Sequence, residues 1–158
     1  TIAKAFDMRV TAWSQNLTKE RCAELGVEYM PEKEALLADA DFVTIHQRLS
    51  DRTADMISTD EFKRMKKTAY LINTSRGPII DDAALIEAVN NGEIAGAGLD
   101  VYDIEPLPAS HPLRRCDGLL LTPHLGYVTH HTWDVFYGET VDAIMTWLAG
   151  KPVRVITP

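Results

Sequence analysis

The chain alternates between short apolar runs rich in β-branched residues and segments whose apolar residues recur at helical spacing. Five apolar runs predict β-strands, at 8–13, 41–46, 68–73, 94–101 and 119–123. Helical spacing predicts α-helices at 18–25, 32–38, 60–66, 82–90 and 132–148. Strands that alternate with helices of this length form βαβ units, so the pattern predicts an open, mostly parallel α/β sheet covered on both faces.

Polar residues follow three of the predicted strands. Arg76 lies after 68–73, Glu105 after 94–101 and His124 after 119–123. In open α/β sheets, ligands bind outside the carboxyl ends of the strands. An arginine offers a planar fork to a carboxylate, and a histidine beside a glutamate can exchange a proton near neutral pH. Taken singly, each residue also has a structural interpretation, such as an arginine that pairs with a carboxylate or caps carbonyls. Together the three indicate a site for a carboxylate substrate and proton transfer.

Composition narrows the class of protein. The chain has 158 residues, 46% hydrophobic and 25% charged, which is typical of a globular protein with a sizeable core. The formal charge of −7 argues against nucleic-acid binding, which needs a basic face. No apolar run predicts a membrane span, and the first residues lack the layout of a signal peptide. Two distant cysteines, Cys22 and Cys116, indicate buried thiols in a reducing compartment, so we expect a cytoplasmic protein.

The segments NTSRGPIIDDAALIEAVNNGEIAGAGLDVYDIEPLP and LTPHLGY closely resemble the D-isomer-specific 2-hydroxyacid dehydrogenases, and the resemblance runs from about residue 2 to residue 155. It implies a Rossmann-type doubly wound parallel sheet and hydride transfer between NAD(P)H and a small 2-oxo or 2-hydroxy acid. By the same resemblance, Arg76 binds the substrate carboxylate, His124 donates the proton, and Glu105 holds and tunes the histidine. No metal is assigned.

The resemblance also implies cofactor-binding residues, with Asp100 at the nicotinamide end. The other implied contacts are Gln47, Thr53, Thr74, Ser75 and Gly126. In the segment HQRLS, Arg48 stands where the family usually has proline.

The cofactor itself stays open between NAD and NADP. An NAD-specific Rossmann domain usually has an acid at the end of the strand after its first helix, to bind the ribose 2′-hydroxyl. Here the segment AWSQN places Ser14 at that position and Gln15 beside it, so a 2′-phosphate would not be repelled. Alternatively, Gln15 and Asn16 supply the ribose contacts of NAD.

The resemblance begins after the family's first strand and glycine-rich loop, and the family's substrate domain precedes that loop. We therefore expect a partial dinucleotide-binding domain at 1–127, and at 128–158 a C-terminal helix and tail that return toward the substrate domain. A species of this length alone is not expected to turn over substrate. The family also implies a homodimer.

Two other classes of function remain open at this stage. One is an NAD(H)-sensing regulator, like the co-repressors that share this fold and these residues. The other is an interaction module without chemistry. Within the family, the formate-oxidising branch is a weaker alternative, because it lacks the E-P…TPH form of this chain.

Overall fold

The computed structural model describes residues 2–156. The chain divides into two compact units, Thr1–Pro123 and His124–Pro158. The first unit contains the helices α1 (Ile2–Ala5), α2 (Lys19–Leu25), α3 (Lys33–Asp39), α4 (Thr59–Arg64) and α5 (Asp82–Asn90). Its strands are β1 (Thr11–Ala12), β2 (Glu28–Tyr29), β3 (Phe42–Ile45), β4 (Tyr70–Asn73), β5 (Gly96–Leu99) and β6 (Leu119–Leu121). Short 3-10 helices occupy Gly77–Ile79 and Pro112–Arg115.

All strand pairs are parallel, which confirms the predicted α/β architecture. The strands fall into two groups. One pairs β1 with β2, and the other runs in the order β3-β4-β5-β6. The predicted strands are longer than those observed, because only the residues with a ladder partner on a neighbouring strand form the sheet.

One strand, β2, was not predicted. It has only two residues, and the first of them, Glu28, is charged and exposed, so no apolar run marks it. The end of the preceding helix nevertheless places β2 beside β1. Helix α2 ends at Gly26, whose φ of 63° reverses the chain direction, and Glu28 then pairs with Thr11.

The carboxyl ends of the four strands β3 to β6 are in register. Ile45 lies opposite Asn73, Asn73 opposite Leu99, and Leu99 opposite Leu121. Loops that leave these strands therefore start from one edge of the sheet.

The strand order reverses between β1 and β3. The chain passes from β1 to its neighbour β2 and then to the group β3 to β6, and it is β1, not β2, that faces β3. A groove of about 380 Å³ lies between the two groups and is lined by residues of β1 and of β3. In open α/β sheets, ligands bind outside the carboxyl ends of the strands that flank such a reversal.

The core of the first unit lies on one face of the four-stranded sheet. Helices α3, α4 and α5 contribute Leu37, Phe62 and Leu85 to it, against Ile45 and Leu71 of the strands. All five side chains are at most 3% exposed.

On the opposite face of this sheet, three large side chains are exposed in the described part of the chain. Phe42, Tyr70 and Leu120 are 56%, 43% and 71% exposed. The strands β3 and β4 accordingly alternate between exposed and buried positions instead of being buried throughout.

The helix termini agree with the sequence in most details. Thr18 accepts a hydrogen bond from the N–H of Arg21 and caps α2, and Gly92 ends the turn after α5 with a φ of 66°. Pro31 directly precedes Glu32, the N-cap residue of α3.

The second unit contains one long helix, α6 (His130–Leu148). It begins two residues before the predicted start, because the Thr129 hydroxyl accepts a hydrogen bond from the N–H of Thr132 and caps the helix there. None of its residues is buried. Over residues 2–156, no helix is long and apolar enough to cross a membrane.

Candidate active site

Arg76 lies in a loop that is held in place by Asn73, the last residue of β4. The Asn73 side chain is 1% exposed. Its amide nitrogen donates to the carbonyl oxygen of Arg76 over 2.9 Å, and its side-chain oxygen accepts from the N–H of Ser75 over 3.0 Å. The Arg76 side chain is exposed, and one guanidinium nitrogen donates to the carbonyl oxygen of Ser75. The loop backbone is thus fixed while most of the guanidinium faces solvent.

The loop after β4 packs directly against the loop after β5. Gly77 is buried, and a Cβ atom at this position would overlap the carbonyl group of Tyr102 and the amide nitrogen of Asp103. On the other side of that contact, the N–H of Tyr102 donates to a carboxylate oxygen of Glu105 over 2.9 Å. The structure therefore brings the loops that carry Arg76 and Glu105 together.

Asp100 is buried at the end of β5. It is 6% exposed, and its carboxylate accepts a hydrogen bond from the hydroxyl of Thr122. The Tyr102 hydroxyl donates to the carbonyl oxygens of Leu99 and Thr122, over 3.1 Å and 2.8 Å. Burial and, secondarily, the charge of Asp100 raise the pKa of Tyr102, so this hydroxyl stays protonated as a donor. The ends of β5 and β6 are joined by these bonds.

The loop after β3 is tied to the loop after β4. The Ser75 hydroxyl donates to the carbonyl oxygen of Gln47. Thr53 is buried, and its hydroxyl donates to the carbonyl oxygen of Arg48 over 2.8 Å and accepts from the N–H of Ser50 over 2.8 Å. Thr53 thus closes its own loop. Thr74, by contrast, is exposed.

A polar pocket of about 430 Å³ lies at the carboxyl ends of β1 and β3, where the strand order reverses. Ser14, Gln15 and Asn16 line it from the first loop, and Gln47 and Thr53 line it from the second. Four predicted cofactor residues, Ser14, Gln15, Gln47 and Thr53, therefore share one pocket. Hydroxyl and amide groups of this kind can hold the ribose of an adenosine by hydrogen bonds, so the residues fit a dinucleotide.

His124 and Gly126 belong to the second unit, which begins at His124. His124 has a φ of 58°, which is uncommon for a residue other than glycine. Its ring makes an edge contact with Tyr127, with the ring centroids 5.6 Å apart. Gly126 is exposed.

A group of carboxylates lies beside the loops of Gly77 and Tyr102. Burial, together with the charge of Asp103, raises the pKa of Asp82 to about 6, although His111 opposes this shift. The Asp82 carboxylate lies 3.8 Å from a ring nitrogen of His111. Burial and the charge of Asp55 raise the pKa of Asp103. Within the described part of the chain, no group of three or more His, Cys, Asp or Glu residues is arranged to hold a metal ion.

Two residues that shape this site were not singled out from the sequence. Asn73 was interpreted only as the end of a strand, and Tyr102 received no role. A polar side chain at the last position of an apolar run, as in TAYLIN, is the signal that could have identified Asn73. No pattern in the sequence distinguishes Tyr102, because its role depends on the register of β5 and β6.

A parallel sheet with a reversed strand order and a polar pocket at the reversal defines a Rossmann-type dinucleotide-binding fold. Residues 1–126 match the family of the D-isomer specific 2-hydroxyacid dehydrogenase, NAD binding domain. The chain belongs to this family, which confirms the resemblance inferred from its motifs.

Individual relatives agree with this assignment. A glyoxylate reductase from Korarchaeum cryptofilum is 44% identical over 130 residues, which cover 82% of this chain and 39% of that protein. Among solved structures, an oxidoreductase from Ralstonia solanacearum superposes with a TM-score of 0.92 at 32% identity, over 99% of this chain and 46% of that one. A D-lactate dehydrogenase with NAD⁺ from Lactobacillus jensenii has a TM-score of 0.79 at 28% identity, over 99% of this chain and 50% of that one. The chain thus spans about half the length of these proteins or less.

Proposed function

We propose that the protein carrying this chain is an NAD(P)-dependent D-2-hydroxyacid dehydrogenase. The observation that carries the proposal is the braced loop of Arg76, packed against the loop of Glu105 at the edge of a Rossmann-type sheet. An exposed guanidinium on a fixed backbone suits a carboxylate ligand, because little further ordering is needed when the ligand binds. Glyoxylate reductase and D-lactate dehydrogenase, the relatives named above, fit a small 2-oxo acid as the substrate class.

The chain's own residues have distinct roles in this proposal. Arg76 binds the carboxylate of the acid and orients it, and its positive charge stabilises the oxygen on which negative charge develops. His124 donates a proton to that oxygen, and Glu105 supports the acid–base role of the histidine. Ser14, Gln15 and Gln47 hold the adenosine part of the dinucleotide, and Thr53 contributes to this part of the site by fixing the shape of the loop that lines it. Thr74, Ser75, Asp100 and Gly126 form the remaining cofactor contacts. When bound, the nicotinamide supplies or accepts the hydride.

Substitution of Arg76 in the full-length protein tests this assignment. We expect Arg76→Ala to raise KM for the 2-oxo acid and lower kcat, with kcat/KM reduced by about 100-fold or more, because a charge-assisted carboxylate contact is lost. Arg76→Lys should restore only part of the activity, because an ammonium lacks the planar fork. The Kd for the dinucleotide should change little in both variants.

His124→Ala provides the complementary test. It should lower kcat strongly while the Kd of the dinucleotide is retained. Normal turnover in both the Arg76 and the His124 variants would contradict the assignment. Binding of dinucleotide without turnover of any 2-oxo acid would instead favour a sensing role.

We also propose that the protein forms a homodimer. Large apolar side chains of α6 are exposed, including Trp133, Phe136, Val141 and Trp147. Apolar surface of this kind usually contacts another protein surface, which in the full-length protein includes the rest of the chain as well as a second copy. Sedimentation of the full-length protein should give twice the monomer mass, and a monomer at micromolar concentration would contradict the proposal.

A cytoplasmic location is the remaining part of the proposal. Cys22 and Cys116 are both free thiols, which suits a reducing compartment. Cys22 is buried as predicted, whereas Cys116 is only half-buried. Fractionation of the source cells tests the location, and recovery of the protein outside the cytoplasm would contradict it.

A further inference from the structure

The pocket at the reversal of the strand order has two arginines in its wall, Arg48 and Arg52. Both come from the loop after β3 and face a pocket whose other wall carries Ser14, Gln15 and Asn16. The arginines are four positions apart and are both exposed.

The pocket differs in charge from the rest of the chain. The chain as a whole has a formal charge of −7, yet no aspartate or glutamate lines this pocket. Asp51 lies between the two arginines in the sequence but is not part of the lining. Two guanidinium groups in a pocket lined by no carboxylate favour an anionic ligand there.

Neither the Arg48 nor the Arg52 guanidinium group takes part in a contact that stabilises the described part of the fold. Within residues 2–156, the side chains of Arg48 and Arg52 form no ion pair or hydrogen bond with other residues. The backbone between them is nevertheless fixed, because the buried Thr53 hydroxyl bonds to Arg48 and Ser50 of the same loop. Both guanidinium groups are therefore free to bind an anionic ligand in the pocket.

The position of the pocket identifies the anion. In Rossmann-type sheets, β1 corresponds to the strand whose carboxyl end faces the ribose of the adenosine. In NAD-specific proteins, an acid at this strand end binds the ribose 2′-hydroxyl. Here Ser14 occupies that end, and it offers a hydroxyl instead of a negative charge. The pyrophosphate of a dinucleotide binds elsewhere, at a helix N-terminus, so it does not account for these arginines.

We propose that Arg48 and Arg52, with Ser14 on the facing wall, bind the 2′-phosphate of NADP(H), so that the protein prefers NADP(H) to NAD(H). Arginine suits this role because its planar fork gives two parallel hydrogen bonds to phosphate oxygens. This inference rests on the proposed dehydrogenase function, since it assigns a selective subsite within the same cofactor site.

Binding of four ligands to the full-length protein tests the inference by calorimetry, without turnover. The ligands are NADPH, NADH, and the fragments adenosine 2′,5′-bisphosphate and 5′-AMP. We expect NADPH to bind about 10-fold to 100-fold more tightly than NADH, in line with charge-assisted contacts to a phosphate. The two fragments should differ in the same direction, because they share the adenosine and differ in the 2′-phosphate.

Substitutions of the two arginines test whether these residues cause the preference for NADPH over NADH. Arg48→Ala and Arg52→Ala should each weaken NADPH binding by about 10-fold while NADH binding changes by less than about twofold. Arg115→Ala is the matched control, because Arg115 is exposed in the same unit but does not line the pocket. It should leave all four affinities unchanged.

Each contrary outcome is distinct. Equal binding of NADPH and NADH overturns the 2′-phosphate subsite and leaves the proposed dehydrogenase function standing. A preference for NADPH that survives both arginine substitutions also overturns it, because the selectivity then comes from other residues. If neither dinucleotide binds, the proposed function and the subsite are both wrong.

Discussion

At the scale of single residues, buried polar groups position exposed ones. The nitrogen and the oxygen of the Asn73 side-chain amide both bond to the backbone around Arg76 and fix it. The Thr53 hydroxyl likewise bonds to the backbone of the loop that carries Arg48. A buried side chain with all its hydrogen bonds made is costly to disrupt, so these loops keep their shape before a ligand arrives. The charged groups on them can therefore face solvent without losing their positions.

The buried carboxylate of Asp82 should make the stability of the folded protein depend on pH. Its pKa is raised from 3.8 to about 6 in the folded protein, so between these values the folded protein holds a proton that the unfolded chain has lost. The free energy of unfolding should therefore fall as the pH rises from about 4 to about 6, by about 3 kcal/mol at most. Asp82→Asn should flatten this part of the profile.

Urea unfolding at a series of pH values measures the effect. Asp51→Asn is a suitable control, because Asp51 is exposed in a loop and its replacement should leave the profile unchanged. If the wild type and Asp82→Asn give parallel profiles between pH 4 and 6, burial of Asp82 does not control this pH dependence.

At the scale of elements, the close approach of two loops depends on Gly77. Because a Cβ atom at this position would overlap backbone atoms of Tyr102 and Asp103, Gly77→Ala must push the loops after β4 and β5 apart. We expect a loss of about 1–3 kcal/mol in the free energy of unfolding, since no flexible side chain can move to make room. KM for the 2-oxo acid should rise as well, because the loop of Arg76 moves.

Gly138→Ala is the control for this substitution. Gly138 lies within α6, and a Cβ atom there would meet no atom within 4 Å. Alanine favours a helix over glycine, so this variant should be neutral or more stable by about 0.5–1 kcal/mol. Equal effects of the two substitutions would show that the loop contact at Gly77 is not tight.

The sequence predicted those elements whose pattern is local. Helix α5 was predicted with its observed bounds, because its apolar residues recur at helical spacing and Asn91-Gly92, a helix-ending pair, follows them. Strand β2 was missed because its two residues carry no apolar pattern.

The candidate site was predictable to a similar degree. Arg76 and Glu105 could be located from strand ends and family motifs, because loops that follow parallel strands share one edge. The roles of Asn73, Gly77 and Tyr102 depend on contacts between loops that are distant in sequence. Such contacts depend on the register of the strands, so they cannot be predicted from a short sequence motif.

At the scale of the whole molecule, the chain forms the greater part of a cofactor-binding sheet whose strand order reverses beside a polar pocket. The family relationship covers residues 1–126, which include the loops after β1, β3, β4 and β5. Cofactor selectivity and substrate binding are thus assigned to different loops of one sheet edge. Changes at Arg48 and Arg52 should leave KM for the 2-oxo acid unaltered, whereas changes at Arg76 should leave dinucleotide binding unaltered.

The most direct test of the central claim is turnover by the full-length protein. Oxidation of NADPH and of NADH is followed by absorbance while small 2-oxo acids such as glyoxylate and hydroxypyruvate are supplied. We expect steady oxidation that requires the 2-oxo acid, is faster with NADPH at limiting concentration, and is lost in Arg76→Ala. Full-length protein that binds the dinucleotide yet oxidises it with none of these acids would contradict the account.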